Sequence, residues 1–128
     1  MGVGAMRCDI LVVEDDPLLR MTVAEGLRDA GFAVEEAACG SDALTMLRGF
    51  KRHQAAPRVL VADIDLGPGP DGLEVGAEAM EMLPELQVVY SSGRPSSMAG
   101  HPLGARECSM PKPYDPARLA ALVHRLID

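Results

Sequence analysis

Apolar runs recur along the chain at residues 8–13, 32–38, 58–62, 86–91 and 105–110. A short, near-continuous apolar run fits a strand buried on both faces. Ile10-Leu11-Val12-Val13 and Val59-Leu60-Val61-Ala62 are the clearest. The run at 32–38 carries Glu35 and Glu36 and reads as a strand near an edge. The run at 105–110 is short and unusually polar.

Between the runs the period becomes helical. Leu19, Val23, Leu27 and Ala30 fall at spacings of four, four and three, which gives one apolar face. Asp16 suits the N-cap, Pro17 the first helical position and Gly31 the stop. A second helix is expected from Ser41 as its cap to about Phe50, with Leu44 and Leu47 inward. Lys51, Arg52 and His53 at its end complement the macrodipole. A third helix is expected over 73–83, with Leu73, Ala77 and Met80 on one face and Pro84 closing it. A last helix is capped by Asp115, starts at Pro116 and turns Leu119, Leu122, Val123 and Leu126 inward. Residues 94–104 hold two Pro, two Gly and two Ser, so a helix there is short or irregular.

Strand and helical segment alternate five times, which predicts an α/β fold with a doubly wound parallel sheet and helices on both faces. Right-handed crossovers and short loops give the strand order 2-1-3-4-5. The order reverses between strands 1 and 3, so a ligand crevice is expected outside their carboxyl ends.

With 128 residues the chain suits one domain, expected over 7–128, with 1–6 as a flexible extension. Aromatic residues are 3%, so the core is expected to be aliphatic. A net charge of -7 speaks against nucleic acid and against an anionic membrane surface as partners. No apolar run reaches 18 residues, and the start is too short and weakly apolar for a signal peptide. Cys8, Cys39 and Cys108 lack C-x-x-C spacing and read as reduced thiols in a cytoplasmic protein. His53, His101 and His124 fit no metal spacing and read as surface residues.

The chemistry collects at the strand ends. Strand 1 ends at Glu14 and Asp15, strand 3 at Asp63 with Asp65 two residues on, strand 4 at Ser92 and strand 5 near Lys112. After Asp65, the stretch Gly67-Pro68-Gly69-Pro70-Asp71-Gly72 reads as a loop. Clustered carboxylates repel one another unless a cation joins them. Oxygen ligands suit Mg²⁺, which leaves a position for a phosphoryl oxygen. Lys112 and Ser92 add an ammonium and a hydroxyl, which suit the remaining phosphoryl oxygens. The chain uses ten Arg but only two Lys, so a Lys between two Pro at a strand end is distinctive. Asp65 and Arg94 each lie two residues beyond a site residue, at the same edge. They are expected to face each other there and to limit the approach of water.

These pieces, in this order, resemble the receiver domain of bacterial two-component response regulators. The matching stretches are residues 10–20, Val61-Ala62-Asp63-Ile64 with Asp71-Gly72, Ser92-Gly93 and Pro111-Lys112-Pro113-Tyr114. The resemblance covers 7–128 and implies a flavodoxin-like fold. It implies that Asp63 is the phosphoacceptor and that Mg²⁺ is held by Glu14, Asp15, Asp63 and the backbone carbonyl of Asp65. Ser92 would be the switch hydroxyl, and Lys112 would bind the phosphoryl group ahead of a cis bond to Pro113. A histidine kinase or histidine phosphotransfer protein would be the donor, and an unidentified protein the downstream target. The chain resembles stand-alone regulators, without a DNA-binding output domain. It departs from the family at Ser109, where Tyr or Phe is common three residues before the Lys.

Two other readings are weighed against this one. Asp63-Ile64-Asp65 is a D-x-D, as in haloacid dehalogenase-type phosphohydrolases, but that family places it after the first strand of a longer chain. A module that never carries phosphate is the other, and intact Asp63 and Lys112 speak against it.

Overall fold

The structure, a computed structural model, describes residues 7–94 and 100–128. In chain order the elements are β1 (Ile10–Val13), α1 (Pro17–Asp29), β2 (Val34–Ala37), α2 (Gly40–Arg52) and β3 (Val59–Asp63). They continue as α3 (Gly72–Met82), β4 (Gln87–Ser91), β5 (Glu107–Ser109) and α4 (Pro116–Ile127). The five strands form one parallel sheet in the order β2-β1-β3-β4-β5, as expected.

Alternation along the strands sends side chains to two cores. Leu11, Val13, Leu60, Ala62, Val88 and Tyr90 pack under α2 and α3 through Leu44, Leu47, Val75 and Ala79. Ile10, Val12, Val59, Val61 and Val89 pack under α1 and α4 through Val23, Leu27, Leu119 and Val123. Helices therefore cover both faces.

Several expectations are corrected in detail. β1, β2, β4 and β5 are shorter than their apolar runs, whereas β3 starts one residue later than its run and ends at Asp63 as expected. Helix α2 starts at Gly40 rather than after a Ser41 cap. Cys39 is its N-cap and bonds no backbone N–H with its side chain. A Cβ at Gly40 would strike the Pro70 carbonyl, so the helix end sits tight against the β3–α3 loop. Helix α3 starts at Gly72, inside the stretch read as loop. Asp71 caps it in a reciprocal box: its side chain accepts from Glu74 N–H, and the Glu74 carboxylate accepts from Asp71 N–H. The caps Asp16 and Asp115 are as expected.

The core is aliphatic as expected, but it takes in three aromatic rings and leaves methionine at its margins. Phe32, Phe50 and Tyr90 are buried, whereas Met46, Met80, Met82 and Met110 only flank the cores. Tyr90 is fully buried because Gly76 on α3 leaves room for its hydroxyl, which donates to Glu107 at 2.7 Å. His101 is half-buried and meets the Tyr90 ring edge-on, so it is not a plain surface residue.

The short or irregular helix expected within 94–104 and the extension at 1–6 fall on or beside stretches outside the described residues. Residues 95–99 and 1–6 lie outside the described residues. From 100 to 106, the described part of the β4–β5 connection holds no helix.

Candidate functional site

The carboxyl ends of β1 and β3 carry the acids because each buried run stops there. Glu14 follows β1 and is 5% exposed; Asp63 ends β3 and is 6% exposed. Asp15 is exposed beside them. Carboxylate oxygens of Glu14, Asp15 and Asp63 all lie within 4.8 Å of one another.

Lys112 arrives from the loop after β5. Its backbone N–H donates to the Ser92 carbonyl at 3.0 Å, which ties that loop to the end of β4. Its Nζ donates to Glu14 Oε1 at 2.7 Å and to Asp63 Oδ2 at 3.0 Å. The Lys112–Pro113 bond is cis. The second oxygen of Asp63, Oδ1, accepts the Asp65 N–H at 3.1 Å.

Burial governs the electrostatics. It pushes the Glu14 carboxyl up to about 7, with the neighbouring Asp15 and Asp63 adding to the shift and Lys112 opposing it. Burial alone would pull Lys112 down, but its bonds to Glu14 and Asp63 outweigh that and hold its pKa above the ordinary value. One ammonium faces two buried carboxylates and an exposed third, so the cluster keeps excess negative charge. A hard divalent cation would offset it, and an all-oxygen donor set is what such a cation takes.

At the other side of Asp63, Ser92 and Asp65 meet. The Ser92 Oγ lies 3.2 Å from Asp65 Oδ2, and the Arg94 guanidinium donates to Asp65 Oδ1 at 2.9 Å. The cross-strand pair of Asp65 and Arg94 thus forms as their matched offsets predicted.

Two supporting residues were given no role by the sequence reading. Arg20 Nη1 donates to the Glu14 carbonyl at 2.9 Å, while its Nε lies 3.4 Å from Glu36 on β2. It fixes the turn that carries the acidic pair. Its signal was faint: an arginine six residues past Glu14, at the end of the first turn of α1. Gly72 matters by what it lacks. A Cβ there would strike the Asp63 carbonyl and the Ile64 Cα, and its N–H donates to the Ile64 carbonyl at 3.0 Å. The Asp71-Gly72 pair therefore seats α3 directly against the end of β3.

Comparison with known proteins agrees with this geometry. The family model described as response regulator receiver domain matches residues 10–124. The response regulator MprA of Mycobacterium bovis is 32% identical over 125 residues, covering 95% of this chain and 51% of that protein. The sensor kinase CckA of Brucella abortus is 26% identical over 121 residues, 93% of this chain and 12% of that protein. The transcriptional activator protein ExaE of Pseudomonas putida is 34% identical over 85 residues, 65% of this chain and 37% of that protein. The chain thus spans about half or less of the length of these relatives. Among solved structures, a response regulator receiver protein from Sinorhizobium medicae superposes with a TM-score of 0.82 at 30% identity, covering 94% of each chain. The receiver domain from the hybrid histidine kinase CckA gives 0.78 at 29% identity, covering 94% of this chain and 99% of that one. The match over almost the whole chain, in sequence and in fold, settles the family: this chain belongs to the response regulator receiver domains of two-component signalling.

Proposed function

We propose that the chain is a phosphoacceptor, modified on Asp63 with Mg²⁺ and signalling by docking to a protein target. The observation that carries this reading is the Lys112 ammonium 3.0 Å from Asp63, within a trio of close carboxylates. Glu14, Asp15, Asp63 and the Asp65 backbone carbonyl would hold the ion. When bound, Mg²⁺ neutralises the trio and draws off charge from a phosphoryl oxygen.

An Asp63 carboxylate oxygen attacks phosphorus, an oxygen–phosphorus bond forms, and the bond to the donor breaks. With a phosphohistidine donor the broken bond is nitrogen–phosphorus, and the imidazole nitrogen keeps the electron pair and takes a proton. Lys112 neutralises the charge of the phosphoryl group, and Ser92 offers a hydroxyl donor. A histidine kinase or histidine phosphotransfer protein is the donor class. The cytoplasm is the compartment this reading places it in, and the free thiols Cys8, Cys39 and Cys108 support that. The receiver unit is taken as 7–128.

Incubation with Mg²⁺ and a small phosphodonor tests the reading by intact mass. One phosphoryl group should be gained with Mg²⁺ and lost with chelator, and Asp63→Asn should not label. Undiminished labelling of Asp63→Asn overturns the assignment. Steady release of free phosphate would instead favour a phosphohydrolase built on Asp63 and Asp65, and an unlabelled native chain an interaction module.

A further inference from the structure

With Asp63 a carboxylate paired to Lys112, the Ser92 hydroxyl is committed to other partners. Its Oγ lies 2.9 Å from the Arg94 carbonyl and 3.2 Å from Asp65 Oδ2, and it accepts the Arg94 N–H at 2.9 Å. A serine hydroxyl has a single hydrogen to give. Among the described residues, both acceptors in reach belong to Asp65 and Arg94, and those two residues are themselves joined at 2.9 Å. The three residues are mutually bonded across the ends of β3 and β4. Ser92 is 6% exposed, so water does not easily substitute for these partners.

We propose that the Asp65–Arg94 pair is a latch that holds the Ser92 hydroxyl off the phosphoryl site, which makes Asp65 and Arg94 positioning residues for the switch. The proposal rests on Asp63 being the phosphoacceptor. Phosphorylation puts up to two negative charges and three acceptor oxygens two residues from Asp65. Those oxygens compete for the serine hydrogen, and their charge repels the Asp65 carboxylate. The hydroxyl then exchanges one acceptor for another: its bond toward Asp65 and Arg94 opens and one to a phosphoryl oxygen forms. Whatever it costs to open the latch is subtracted from the affinity for the phosphoryl group. The ion pair is weak by design, with Arg94 72% exposed, so it sets a threshold rather than a block.

The latch and plain electrostatics differ in sign. Losing the positive charge of Arg94 beside an anion site should weaken anion binding, and losing the negative charge of Asp65 should strengthen it. If the pair restrains Ser92, either loss strengthens binding. The test is titration of the whole chain with Mg²⁺ and beryllofluoride, a phosphoryl mimic, by calorimetry. Arg94→Ala and Asp65→Ala are each expected to lower the Kd about two- to fivefold, the range of an exposed pair. In a Ser92→Ala background the tightening by Arg94→Ala should vanish, and that by Asp65→Ala should shrink to what the lost charge alone gives. Weaker binding by Arg94→Ala, no change, or tightening by Arg94→Ala that persists without the Ser92 hydroxyl overturns the latch. A native chain that binds no beryllofluoride and does not label on Asp63 fails at the proposed function instead.

Discussion

Cys8 shows how strongly a single burial can bias a titration. It sits at the foot of β1, 7% exposed, with its Sγ 3.4 Å from the Ile10 carbonyl. Burial pushes its thiol up to about 12 from an ordinary 9.0, with Glu35 and Asp9 adding to the shift. Tyr90 is raised in the same direction, first by burial and then by its bond to Glu107. The native state therefore holds these protons more tightly than the unfolded chain. Their contribution to stability is complete below about pH 9 and is lost as pH rises toward 12, at up to about 1.4 kcal/mol per unit for one such group. The melting temperature is thus expected to fall between pH 9 and 11, and Cys8→Ala to fall less steeply over that interval. Equal slopes for the two proteins in thermal unfolding would contradict this. The run at 8–13 already placed Cys8 in a buried strand, but the size of its shift was not legible, because it depends on Glu35, Asp9 and the strands beside it. The site residues were legible for the opposite reason. Glu14, Asp63 and Ser92 each end an apolar run, and in a parallel sheet such ends share one edge whatever the packing details.

At the scale of elements, the strands were readable and several helix ends were not. A Ser41 cap was the natural local choice, yet α2 begins before it, because Gly40 slips beneath the Pro70 carbonyl. That contact joins distant residues and leaves no local pattern. The end of α3 is held by a similar long-range device. Arg106, just before β5, donates through Nη1 to the carbonyls of Leu83 at 3.0 Å, Pro84 at 2.6 Å and Leu86 at 3.3 Å, and through Nη2 to Met80 at 3.1 Å. The carbonyls at a helix C-terminus lack intrahelical partners, and a guanidinium fork can satisfy several at once. Arg106→Ala is expected to cost about 1.5–3 kcal/mol, as for hydrogen bonds from a charged donor. Arg106→Lys should recover only part, since an ammonium cannot span the fork. Urea unfolding measures both, and a loss below about 0.5 kcal/mol for the alanine variant would place Arg106 among ordinary surface residues.

Seen whole, the molecule presents a site at one sheet edge and a conspicuous apolar pair beside it. Among the described residues the exposed large hydrophobics are Leu18 at 74%, Met21 at 52% and Leu103 at 36%. Leu18 and Met21 are three apart on α1, hence on one face. That face was legible by subtraction, because Leu19, Val23 and Leu27 account for the buried one. Its position relative to the acids follows from the turn: Asp16 caps α1, and its N–H donates to Glu14 Oε2 at 3.3 Å. Under the proposed function, a protein donor that reaches Asp63 over this edge would cover Leu18, whereas a small phosphodonor would not need to touch it. With a net charge of -7, non-polar contact rather than charge attraction must hold an acidic partner there. Burying one Leu side chain is worth about 1.5–3 kcal/mol, so Leu18→Glu should slow transfer from a phosphorylated protein donor about tenfold or more. Labelling by the small donor should stay at the native rate, since the Leu18 side chain is 74% exposed and holds none of the acids in place. Rapid-quench transfer assays with both donors separate the cases. Equal slowing with both would mean that the substitution disturbs the site itself, and native rates with both would mean that the donor docks elsewhere.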